Sequence, residues 1–201
     1  IRLMLESVGK KLKKLEKSFD NGKIVKDGIK TAIIGKPNAG KSSLLNAILK
    51  EDRAIVTDIA GTTRDTIEEF VTINGIPLNL VDTAGIREAS DEVEKIGVEK
   101  SIKQANDADL IIAIFDSSKD LEEEDIEILN LIKGKKSIIL LNKSDLNSKI
   151  NENDDRFTSI TENILRISAL NKYGIDELYE KIAELFNLNE INLDNEILIT
   201  N

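Results

Sequence analysis

The sequence has 201 residues, of which 40% are hydrophobic, 32% charged and only 3% aromatic, with a formal net charge of −9. This is the composition of a soluble globular chain with a core of Ile, Leu, Val and Ala; the acidic balance argues against a strong nucleic-acid backbone binder, and the scarcity of aromatics against stacking platforms for single strands. Without a single cysteine or histidine, disulfides, thiolate zinc sites, imidazole acid–base chemistry and Ser-His-Asp catalysis are excluded within these residues.

There is no signal-peptide pattern and no apolar run of about 18 residues, so a cytoplasmic location with no membrane partner is expected. The chain opens on Ile1 rather than Met and is expected to be part of a longer protein. In residues 1–19, Ile1, Leu5, Val8, Leu12, Leu15 and Phe19 recur at spacings of three and four, which predicts an amphipathic helix ended by "DNGK" at 20–23. Its basic run "KKLKKLEK" reads as a solvated helix face.

From residue 29 strands and helices alternate. "IKTAIIG" predicts a buried strand and "KSSLLNAILK" a helix; "TIEEFVTI" and "IPLNLVD" predict strands joined at Asn74-Gly75, a strong hairpin signal. "EVEKIGVEKSIKQAN" predicts a helix, "ADLIIAIFD" a strand, "LEEEDIEILNLIK" a helix with a solvated acidic face, and "KKSIILLN" a strand. The polar stretch 147–162 reads as a solvated connection with little core content, followed by the strand "NILRIS" and the helix "IDELYEKIAELF". This order predicts a mostly parallel α/β sheet with one antiparallel hairpin strand and helices on both faces, its functional loops at the carboxyl ends of the strands.

"GKPNAGKS" at 35–42 fits G-x-x-x-x-G-K-S between a strand and a helix. Gly35 and Gly40 permit a tight turn in which the amides of Asn38, Ala39, Gly40, Lys41, Ser42 and Ser43 converge on phosphates at a helix N-terminus. Lys41 reaches the β- and γ-phosphates, and the Ser42 hydroxyl ligates Mg²⁺. Asp82, ending an apolar strand, is the second Mg²⁺ position, and the Gly85 N–H can meet the γ-phosphate. In "NKSD" at 142–145, Asp145 can accept both guanine donors, Asn142 ties its loop to the phosphate loop, and the Lys143 stem can lie on the purine face. "SAL" at 168–170 follows the next strand, with the Ala169 N–H placed to meet guanine O6 and Ser168 beside it. In this chain order the motifs specify GTP or GDP, and the fold is that of a P-loop NTPase of the Ras-like GTPase type.

The same order resembles the translation-factor-like GTPases. "IVTDIAGTTRD" (55–65) followed by "DTAGIREASDEVEKIGVEKS" (82–101) resembles more closely the GTPase domain of the MnmE (TrmE) family of tRNA-modification GTPases. The resemblance covers about 28–187 well. It implies that 27–187 form the GTPase domain, while 1–26 and 188–201 are two edges of a helical domain into which it is inserted. The ribosome-assembly GTPase Der shares the first stretch and "DTAGIR".

Ile86 stands where Ras-type enzymes place the glutamine that orients the attacking water. The resemblance implies another arrangement. Asn38 would ligate K⁺ beside the phosphates, with carbonyls at Thr57, Ile59 and Thr62 completing a shell suited to a weakly hydrated monovalent ion. That ion takes the role of an arginine finger. Thr63 matches the switch threonine on Mg²⁺, and Glu94 would orient the water once two GTPase domains of a homodimer pair across their nucleotide sites. From spacing alone Glu94 is one of several helix acids and Asn38 a turn residue. Arg64 and Arg87 are assigned no catalytic role. The family acts on the wobble uridine (U34) of tRNA with the flavin-binding partner MnmG, using a folate-binding domain and a cysteine motif absent from these residues. Two alternatives are a GTP-gated interaction switch with incidental hydrolysis, and a Der-like ribosome-assembly GTPase.

Overall fold

A computed structural model describes residues 24, 26–49, 55–57, 69–73, 75–81 and 102–188. The expected helices over 1–19 and 92–101 lie outside these residues.

Hydrophobic runs of β-branched and Leu residues make strands buried on both faces. In chain order the elements are β1 (Ile29–Ile34), α1 (Lys41–Leu49), β2 (Ile55–Thr57), β3 (Glu69–Ile73), β4 (Ile76–Leu80), β5 (Leu110–Asp116), α2 (Glu123–Ile132), β6 (Ser137–Asn142), α3 (Asp155–Thr158), β7 (Ile164–Arg166) and α4 (Ile175–Leu185). Residues 102–107 are helical, the described end of the helix expected before β5. Among the described residues the sheet has seven strands in the order β2-β3-β4-β1-β5-β6-β7. β3 runs antiparallel to both neighbours, and the other pairs are parallel. The pairing Ile73↔Ile76 closes a tight hairpin, with Gly75 at φ 81°. That is the hairpin expected from the sequence, and it accounts for the single reversed strand.

Alternation along the central strands sorts side chains to two cores. Leu110, Ile112 and Ile114 of β5 and Ile138 and Leu140 of β6 face α1 and α4, where Leu44, Leu45, Ile48, Leu178 and Ile182 cover them. Ile111, Ala113 and Phe115, with Ile139 and Leu141, meet Leu129 and Ile132 of α2 on the opposite face. The chain leaves β1 first toward β4 and later toward β5, so the order reverses at β1. The carboxyl end of β1 is therefore the crevice where such sheets take ligands.

Two features differ from the sequence reading. The short strand β2, within a stretch read only as switch loop, pairs with β3 through Ile55↔Thr72, Val56↔Val71 and Thr57↔Phe70. The connection 147–162 also contributes to the core: Ile150 and Phe157 are buried. Phe157 meets Phe115 edge to face at 5.4 Å. Asp154 makes this possible by capping α3, its Oδ1 accepting the Arg156 N–H at 2.9 Å. One aromatic in a polar stretch carries no periodicity, so the sequence could not reveal it.

Phe157→Ala should destabilise the domain by about 3–5 kcal/mol, read as a lowered urea midpoint. A midpoint equal to that of the parent would show that the connection is not part of the core.

Candidate functional site

The loop after β1 is shaped by two glycines and one asparagine. A Cβ on Gly35 would lie 2.5 Å from the Ile114 carbonyl oxygen of β5, so no side chain fits there. Asn38 and Gly40 both have positive φ, 62° and 110°. A short amide remains tolerable at the first position, and glycine is needed at the second. The Ala39 N–H donates to the Lys36 carbonyl at 3.3 Å. Ser42 and Ser43 then lie in the first turn of α1, which carries no acidic residue to neutralise its positive end. An anion arriving there meets amides and a helix dipole without competition.

The Lys41 ammonium curls back over this loop and donates to the Gly35 and Lys36 carbonyls, both at 2.7 Å. Burial lowers its pKa from 10.5 to about 8. The side chain is thus a cation held near phosphate height by neutral acceptors, and a phosphate would restore its ordinary basicity.

At the end of β6, Asn142 is 3% exposed and uses both ends of its amide. Its Nδ2 donates to the Ala39 carbonyl at 2.8 Å, and its Oδ1 accepts the Ala169 N–H at 3.0 Å. A Cβ on Gly40 would collide with that Nδ2. The expected link from Asn142 to the phosphate loop is therefore present. The Ala169 N–H, expected to face guanine O6, donates to Asn142 instead; the turn after β7 aims it inward at the nearest buried acceptor. Ser168, 2% exposed, donates through its hydroxyl to Asp145 Oδ1 at 2.6 Å. The Ser144 N–H bonds the Ile167 carbonyl at 3.0 Å. The two base loops are thus joined to each other as well as to the phosphate loop. Asp145 keeps its second carboxylate oxygen for a ligand's donors.

Lys143 has a positive φ of 64°, and its ammonium donates to Asp116 Oδ2 at 2.6 Å. Asp116 also accepts from the Ser118 N–H and hydroxyl. Burial alone would raise the Asp116 carboxyl, but the Lys143 and Ser118 bonds outweigh it and hold the group below its ordinary value. The charge of Lys143 is directed to this carboxylate, leaving its methylene stem as the part that can face a base. Sequence reading missed Asp116, since nothing in a lone strand-terminal acid names its partner.

The run "LEEEDIE" reads in the sequence as a solvated face, and Glu122, Glu123, Glu124 and Glu127 are exposed as expected, but Asp125 is not. Asp125 is 4% exposed, and with Glu122 it binds the Lys36 ammonium at 2.7 and 2.6 Å. The burial follows from the capping box of α2, which turns Asp125 back onto its own helix N-terminus.

Ile59, Thr62, Thr63, Arg64, Asp82, Gly85, Ile86, Arg87 and Glu94 lie outside the described residues, and Thr57 is described only as the last residue of β2. Among the described residues there is no group of three or more acidic, His or Cys side chains able to hold a metal. Of the metal ligands expected from the sequence, the described residues are Ser42, Asn38 and Thr57, the last as the end of β2. Asn38 is exposed at the loop tip.

Comparison with known proteins agrees with this geometry. Residues 30–143 match the family model described as 50S ribosome-binding GTPase. The chain is 55% identical over 193 residues to the tRNA modification GTPase MnmE of Lachnoclostridium phytofermentans, covering 96% of this chain and 42% of that protein. It is 53% identical over 198 residues to MnmE of Clostridioides difficile, covering 98% of this chain and 43% of that protein. The chain thus spans less than half the length of these curated relatives. Among solved structures it is similar to a single-residue variant of Aquifex aeolicus Era bound to GDP·AlF₄⁻, at TM-score 0.54 and 33% identity, covering 77% of this chain and 56% of that one. It is also similar to the G domain of the T. maritima FeoB iron transporter, at TM-score 0.53 and 27% identity, covering 77% and 96%.

The folded pKa of Lys41 lies below its unfolded value, so the unfolded chain binds more protons between about pH 8 and 10.5. Stability of the nucleotide-free protein should therefore rise across that window, and Lys41→Met should flatten the rise in urea titrations. A rise equally steep in the variant would contradict the buried placement of the ammonium.

Proposed function

Because the chain belongs to the 50S ribosome-binding GTPase family, a family of GTP-hydrolysing enzymes, we propose that it is the GTPase domain of a potassium-stimulated tRNA-modification GTPase of the MnmE type. The observation that carries the nucleotide assignment is the convergence of Asn142, Asp145 and Ser168 behind the phosphate loop. Asp145 accepts the ring N–H and exocyclic amine of guanine, and adenine offers neither. The likeness to MnmE over 96% of this chain favours the tRNA-modification reading over a Der-like ribosome-assembly role.

In this reading the loop amides from Asn38 to Ser43 and the α1 N-terminus bind the phosphates, and Lys41 moves from the loop carbonyls to the β–γ bridge. Ser42, Thr63 and Asp82 would hold Mg²⁺. Asn38 and the carbonyls of Thr57, Ile59 and Thr62 would hold K⁺, whose charge offsets the negative charge that grows on the bridging oxygen. Glu94 accepts a hydrogen bond from the attacking water, because Ile86 cannot. Glu94 lies twelve residues beyond Asp82 in the sequence, so the arrangement would form when two GTPase domains pair across their nucleotide sites. Residues 1–26 and 188–201 would belong to a helical domain that holds the homodimer together.

The whole protein would act on wobble uridine 34 in the cytoplasm with the flavin-binding partner MnmG, tRNA being met by the full assembly. The charge of −9 supports this division of labour, since these residues alone make a poor phosphate-backbone binder. Among the described residues no helix is long and apolar enough to cross a membrane.

Turnover by the intact protein should be roughly a hundredfold slower in NaCl than in KCl, and equal rates would refute the potassium assignment. Glu94→Ala should cut hydrolysis by on the order of a hundredfold or more while GTP affinity holds; a normal rate would leave the interaction-switch alternative. Asp145→Asn should shift preference from GTP to XTP, and a variant still selective for GTP would remove the basis of the guanine assignment.

A further inference from the structure

The phosphate loop carries two lysines, and their charges point in opposite directions. Lys41 turns inward onto the Gly35 and Lys36 carbonyls. The Lys36 side chain, 15% exposed, leaves the loop and places its ammonium between Glu122 Oε2 and Asp125 Oδ2. Asp125 Oδ2 also accepts the Glu122 N–H at 2.9 Å, closing one half of the α2 capping box. The helix α2 is anchored in turn, through Leu129 and Ile132 near its C-terminal end, in the core on that face of the sheet.

The backbone of the same lysine is a hub. The Lys36 carbonyl accepts both the Lys41 ammonium at 2.7 Å and the Ala39 N–H at 3.3 Å. The far half of the loop is fixed at Ala39 by Asn142. In the near half Gly35 lies against β5, and the Lys36 side chain reaches out to α2. The ammonium is held mainly by the nearly buried Asp125 carboxylate, with the exposed Glu122 bracing it from the solvent side.

We propose that Lys36 is a positioning residue for the phosphate site: tethered to Asp125 and Glu122 of α2, it fixes the carbonyl on which Lys41 rests and the turn at Ala39. The tether also removes the charge of Lys36 from the phosphates, so that Lys41 alone among the loop's lysines serves them. This inference rests on the guanine-nucleotide reading of the site. It adds that α2, which carries no nucleotide motif, helps to set phosphate affinity.

The test uses the full chain and a fluorescent GDP analogue, with thermal melting followed in parallel. Lys36→Met keeps the stem and loses the charge; it should weaken GDP affinity roughly tenfold. Lys36→Arg, whose fork can engage both carboxylates, should recover most of that loss. Asp125→Asn keeps an acceptor for the helix cap but loses the charge, and should reproduce Lys36→Met. The double variant should bind GDP no more weakly than either single one. A purely structural role would lower the melting temperature and leave affinity in place, and that result overturns the proposal. So does an Arg variant as impaired as Met. A parent chain that binds no GDP would overturn the nucleotide reading itself, and the tether's role with it.

Discussion

One buried amide sets the distance between phosphate recognition and base recognition. Asn142 ends strand β6 and spends its donor on the phosphate loop and its acceptor on the turn after β7. A buried amide left half-paired costs on the order of 1–3 kcal/mol. Both loops are therefore held to one arrangement. The sheet makes this possible, since β1, β6 and β7 are parallel neighbours or near neighbours whose carboxyl ends lie on one edge. Gly40 completes the constraint, because any side chain there would occupy the place of the Asn142 amide.

Around that link the charges are divided by destination. Lys36 and Lys143 are each matched to carboxylates at 2.6–2.7 Å. Among the described residues Lys41 is matched to neutral carbonyls. The first two shape the protein; the third is left for an anion. Three lysines within or beside nucleotide motifs look equivalent as residues, and their separation into roles comes entirely from what each one faces.

Much of this was legible in the sequence. Strand–helix alternation, the Asn74-Gly75 turn and the order of "GKPNAGKS", "NKSD" and "SAL" pointed to the sheet, its reversed strand and the ligand edge, because each rests on local backbone chemistry. Phe157, Asp116 and Asp125 were not legible. Their roles come from partners far away in the chain: Phe115, Lys143 and Lys36 respectively. Local pattern cannot register such pairs. The bond from the Ala169 N–H to Asn142 was not legible for the same reason, since its acceptor sits 27 residues earlier. The switch residues and Glu94 lie beyond the described residues, so their roles stand on sequence and family likeness.

The most direct test of the central claim compares GDP and ADP affinities for the parent chain and for Asn142→Ala, with circular dichroism to verify that the sheet persists. If Asn142 makes the phosphate and base loops one rigid unit, the variant should lose affinity for GDP far more than for ADP, and the preference should collapse. A folded variant that keeps both the GDP affinity and the GDP-to-ADP ratio of the parent would contradict the account.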